Sequence, residues 1–106
     1  MHSIDTSVKV VRPVGALTAA TADAFKQEML VAITSDSATE VAIDMAAVDS
    51  VDHSGLVALL AGYDTAKRHR KRLSLHDVAP PVRIVFELAQ LDRAVSMGNY
   101  QELRAA

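Results

Sequence analysis

A small α/β sandwich with parallel strand neighbours is the fold class this sequence predicts, on three observations. Short β-branched or alternating segments take turns with longer ones whose apolar residues recur at three- and four-residue steps. That is the order of strand–helix–strand units, whose crossovers are right-handed. Half of the residues are hydrophobic while only 4% are aromatic, so the core is aliphatic, a composition that argues against disorder. The 106 residues suit one domain with one core rather than two.

The elements follow in order. Val8–Arg12 reads as a first strand closed by Pro13, with Val14–Leu17 continuing the pairing after the kink. A helix starts at Ala19–Thr21 and buries Ala22, Phe25, Met29 and Ile33; Thr18 or Thr21 caps it, and Asp23 suits its first turn. Ser35–Thr39 is a polar connector. Glu40–Met45 is a short strand with Val41, Ile43 and Met45 on one face and Ala42 and Asp44 on the other. An acidic turn carrying Asp49 and Asp52 leads into a helix whose Leu56, Leu59, Leu60, Tyr63 and Ala66 recur with helical spacing. This helix ends in the basic run Lys67–Arg72. Leu73–Asp77 is a further strand, and Pro80-Pro81 opens another helix, where a missing N–H is harmless. Val82, Val85, Phe86 and Ala89 form its buried stripe, with Leu88 at the border. Ala94–Met97 reads as a last short strand and Tyr100–Ala106 as a terminal helix.

Several chemistries are set aside by the same residues. The formal net charge of -2 gives no general pull toward nucleic acid, so no direct nucleic-acid contact is expected. Absence of cysteine excludes disulfides, thiolate catalysis and Cys-ligated zinc. No apolar run approaches the roughly 20 residues of a membrane span, and Met1–Thr6 lacks the pattern of a secretory signal. A soluble, cytoplasmic protein is expected. His2, His53, His69 and His76 show no paired ligand spacing, so no metal site is expected.

Asp44, Asp49 and Asp52 are oxygen donors of the kind Mg²⁺ takes. Without a phosphate-cradling glycine loop they read better as residues capping strand and helix ends. A Ser-His-Asp reading would combine Ser54 with His53 or His76. Adjacent side chains at a turn diverge, however, and Ser54 lacks the leading glycine of the hydrolase elbow. No catalytic residue, enzyme activity or cofactor is expected. The block Lys67–Arg72 reads as a solvated helix end that complements the dipole, ahead of a contact for an acidic partner or anionic lipid.

The most informative stretch is Val41–Leu56. It runs from a buried strand through the acidic turn to Ser54-Gly55, and then straight into a helix. A modifiable hydroxyl thus stands at a helix N-terminus, where backbone N–H groups and the dipole attract a phosphate.

Ile43–Leu56 resembles the STAS family, the anti-sigma factor antagonists and their relatives, in which an apolar strand ending in Asp leads through a turn to Asp-Ser-[Ser/Thr]-Gly-Leu at a helix start. Val14–Ala22 resembles the family's Gly-x-Leu-Asp-x-x-x-Ala segment. Leu73–Asp77 matches the strand after the second helix, and Val82–Val95 the Val-x-x-x-Leu-x-x-x-x-Leu-Asp segment. The resemblance implies a single STAS-like domain over residues 1–106. Its sheet would be mixed but mostly parallel, of four to five strands, with helices packed mainly on one face.

It further implies a switch in protein binding. Ser54 is the position phosphorylated in regulatory members, by an anti-sigma factor serine kinase that supplies the ATP; a PP2C-type phosphatase resets it. Thr18, Asp49, Asp52, His53, Ser54, Gly55 and Leu56 would form the partner-binding surface. The unmodified form would bind the kinase and the phosphorylated form release it. Thr18 stands where many regulatory members have Asp, and His53 replaces their Ser or Thr. These two departures support an alternative reading, a constitutive scaffold or accessory module of a transporter, lipid-transport or signalling complex.

Overall fold

The computed structural model of the protein describes residues 7–35 and 37–89. Within them the chain forms, in order, β1 (Val8–Val11), β2 (Gly15–Leu17), α1 (Ala22–Ile33), β3 (Glu40–Asp44), β4 (Val48–Val51), α2 (His53–Arg68), β5 (Arg72–His76) and α3 (Pro80–Leu88). The predicted strand at Ala94–Met97 and helix at Tyr100–Ala106 lie outside the described residues.

The small α/β fold with parallel strands is as expected. β3 is the centre of a three-stranded sheet, flanked by β1 and β5, and β2 pairs with β4 in a second sheet. Every pairing among the described residues is parallel. Side chains on successive strand residues alternate between faces. In β3 and β5 the odd-numbered Val41, Ile43, Leu73 and Leu75 are buried and join the core with Met29, Ile33 and Leu59 from the helices. The even-numbered face is more polar and leaves Val8 and Val10 exposed. Ser74, buried on that face, is satisfied by Glu40 Oε2 and His76 Nε2, each 2.8 Å from its hydroxyl.

Three expectations are corrected. Val14–Leu17 does not continue the pairing of β1: β2 turns away and pairs with β4, in the other sheet. The acidic turn is largely that strand. Gly15 is opposite Val48 and Ala16 is opposite Ser50, so Asp49 is an extra, bulged residue on β4. The bulge breaks the two-residue alternation and brings Val48 and Val51, three positions apart, both into the core. A strand with that burial does not show the period by which strands are read.

The second helix opens at the Ser54-Gly55 segment and ends in the basic run, as expected. It begins at His53, and its buried residues are Gly55, Ala58, Leu59, Gly62 and Ala66, while Leu60 faces solvent. It stops inside the basic run. Arg70 adopts a left-handed backbone with φ 58, and the N–H groups of Arg70 and Lys71 bond to the carbonyls of Lys67 and Ala66. This pair of bonds is the Schellman arrangement that closes helices. Arg72 then opens β5. In α3, Val82 and Phe86 are buried as expected, but Val85 is only half-buried and Leu88 and Ala89 are exposed.

Candidate functional site

The segment joining β4 to α2 is held by one aspartate. The backbone N–H of Asp52 donates to the Leu17 carbonyl at the end of β2 (3.0 Å), which ties the two-stranded sheet to the helix start. Asp52 takes an extended conformation as N-cap. Its Oδ1 accepts from the N–H groups of Ser54 (2.8 Å) and Gly55 (3.2 Å). The capping role expected for this carboxylate is thus seen directly. Asp52→Ala is expected to lower stability by about 1 kcal/mol, and Asp52→Asn by less because an acceptor remains; urea unfolding of the two variants checks this.

The cap changes one expectation. The N–H groups at the start of α2 were expected to attract a phosphate on Ser54, but those of Ser54 and Gly55 already donate to Asp52. The helix dipole remains favourable to an anion. The donors nearest the hydroxyl are committed.

Gly55 supplies close approach. A Cβ on this residue would lie 2.8 Å from the Leu17 carbonyl oxygen and 2.9 Å from both Leu17 Cβ and Val51 Cγ1. Helix α2 therefore rests directly on the ends of β2 and β4, and this contact sets the height at which Ser54 stands.

Ser54 is half-buried, and its hydroxyl makes no hydrogen bond to a described residue. It lines a groove of about 400 Å³ between the N-terminal turns of α1 and α2. The groove's small residues are Ala19, Ala22 and Ala58, and its larger ones are Asp23, Lys26, His53, Ser54 and Val57. Asp23 and Lys26 likewise make no ion pair with a described residue.

Of the sequence-predicted site residues, His53 and Ser54 share this groove, with Asp52 beside them as the exposed cap. Thr18 is in the turn before α1. Its Oγ1 accepts from the Ala20 N–H (3.2 Å), and its N–H donates to Thr21 Oγ1 (2.9 Å). Gly55 is buried, and Leu56 packs half-buried against the core. Asp49 is exposed on the bulge of β4, within 3.4 Å of the Ser50 hydroxyl. Asp44 is engaged elsewhere, accepting from the Ala46 N–H and from Arg12 Nε. No group of three or more metal-ligating side chains occurs among the described residues.

Sequence reasoning missed the α1 side of the groove: Ala22, Asp23 and Lys26. Lys26 follows the buried Phe25 and so borders the apolar stripe of α1. That position was legible; that α2 lies across it was not.

Comparisons with known proteins bear on the family and the fold. The profile of the family described as "Mlab, STAS domain" matches residues 2–99. A comparison with curated proteins returned no match. Among solved structures, the chain is similar to an anti-sigma factor antagonist from Mycobacterium paratuberculosis, with 25% identity and a TM-score of 0.71, over 89% of this chain and 79% of that one. It is similar to the phosphorylated form of the Bacillus cell fate determinant SpoIIAA, with 18% identity and a TM-score of 0.67, over 99% and 96% of the two chains. It is also similar to a sulfate transporter family protein from Wolinella succinogenes, with 16% identity and a TM-score of 0.77, over 93% and 79%.

Proposed function

The chain belongs to the STAS domain family described by Mlab, and from that premise we propose that it is a non-enzymatic protein-binding switch whose state is set at Ser54. In this reading residues 1–106 act as one STAS-like domain. The unmodified form binds an anti-sigma factor serine kinase, which supplies the ATP. Phosphorylation of Ser54 releases it, and a PP2C-type phosphatase restores binding.

The observation that carries the proposal is the setting of Ser54. Its hydroxyl is unpartnered among the described residues, in the first turn of α2, on the wall of a groove and beside the Asp52 carboxylate. Phosphate adds about -1.5 to -2 charges at pH 7, so modification changes both the bulk and the field of this surface without unfolding the domain.

The test is incubation with ATP and each candidate serine kinase encoded beside this chain, followed by mass spectrometry. Phosphate on Ser54 is the expected result. Failure of every such kinase to modify it would reject the reading.

A second reading is favoured by the family's own description as Mlab and by the transporter-family neighbour. It makes the chain a constitutive accessory module of a transporter assembly. No described helix is long and apolar enough to cross a membrane, so in this reading the chain would dock on a membrane complex rather than span the bilayer. Recovery of such a complex by affinity capture, unaffected by Ser54 substitutions, would favour it over the switch.

A further inference from the structure

We propose that Lys26 is the counter-ion of phosphorylated Ser54, pairing with the phosphate across the groove between α1 and α2. The inference deepens the reading of Ser54 as the modified hydroxyl and rests on it. Three observations converge on it. Lys26 and Ser54 line the same groove of about 400 Å³, and Lys26 carries its ammonium on a flexible four-carbon stem. Lys26 is half-buried and makes no ion pair or hydrogen bond with a described residue, so its charge is not already committed.

The third observation concerns the donors that would otherwise serve. The N–H groups of Ser54 and Gly55 are taken by Asp52 Oδ1. A phosphate on Ser54 would also stand beside the Asp52 carboxylate. Like charges disfavour its dianionic form and an opposite charge within about 4–6 Å favours it. The charged or titratable groups facing this position are Asp23 and Lys26 on α1, and Asp52 and His53 at the start of α2. Lys26 is the one lysine or arginine among them. It draws the phosphate into the groove, over the small residues Ala22 and Ala58, and away from the open rim at Asp52. Release of a partner then has a steric component as well as an electrostatic one, because the groove is filled.

The test needs neither kinase nor partner. Phosphoserine is installed at position 54 during translation, and the second ionisation of the phosphate is followed by ³¹P NMR in the parent, Lys26→Gln and Lys26→Arg chains. A neighbouring cation stabilises the dianion, so the titration midpoint of the parent and of Lys26→Arg is expected at least about 0.5 pH unit below that of Lys26→Gln. Repeating the series with His53→Gln removes the imidazole that also lines the groove, and the difference is expected to persist. Equal midpoints in all three chains, or a difference that vanishes with His53→Gln, would overturn the proposal. A chain that no kinase phosphorylates rejects the switch reading while leaving this result intact, so the two failures are distinguishable.

Discussion

Gly55→Ala is expected to destabilise the protein by about 2 kcal/mol, although alanine is the better helix former by about 1 kcal/mol in an unobstructed position. The reason is geometric. The new methyl group would meet the Leu17 carbonyl oxygen at 2.8 Å and Leu17 Cβ at 2.9 Å. Both are fixed by the backbone of β2, and Leu17 is buried. The helix would have to lift, and Asp52, whose N–H is bonded to that same carbonyl, would lose its anchor.

Gly62 on the same helix is the internal comparison. A Cβ there would meet the Met29 sulfur at 2.6 Å and its methyl at 3.0 Å. These atoms are the far end of a flexible side chain that can adopt another rotamer. Gly62→Ala is therefore expected to change stability by less than about 1 kcal/mol in either direction. Chemical denaturation of the two variants checks the pair. Equal losses would show that the contact at Leu17 does not set the position of α2.

The second large effect concerns binding. In the proposed switch, Ser54→Ala is expected to stay bound to the kinase, while Ser54→Asp binds it at least tenfold more weakly. Two unit charges about 5 Å apart at an effective dielectric near 20 interact by roughly 3 kcal/mol. Each ~1.4 kcal/mol is a factor of ten in affinity. An aspartate at position 54 adds its charge beside Asp52 on the groove wall, so transmission of about half of that repulsion to the docked surface suffices. Calorimetry with the kinase that modifies Ser54 measures both variants. Equal affinities would sink the charge mechanism, and a loss for Ser54→Ala as large as that for Ser54→Asp would show that the hydroxyl itself is the contact.

What the sequence alone determined about this protein is what local pattern can encode. The alternation in Val41–Ile43 and Leu73–Leu75 marked two strands of the main sheet and the residues they give to the core cluster. The spacing of Ala22, Phe25, Met29 and Ile33 marked α1 and its core side. Pro80-Pro81 marked the start of α3. The run Asp52-His53-Ser54-Gly55 placed a hydroxyl at the first turn of a helix, and the structure places it there. Each of these signals lies within a few residues of the feature it reports.

Only the tertiary structure decided the rest, for reasons of contact between distant segments. The bulge at Asp49 exists because β4 must match the shorter β2, so a strand looked like an acidic turn. Leu60 is exposed and Gly62 buried because α1 approaches closely enough to bring Met29 against the glycine. The oxygen that makes Gly55 necessary belongs to Leu17, 38 residues earlier. Lys26 came to line the same groove as Ser54 through the packing of two helices, which no spacing within either one records. Periodicity reports which face of an element is apolar; the atoms that come to face a hydroxyl depend on which elements pack together, and how closely.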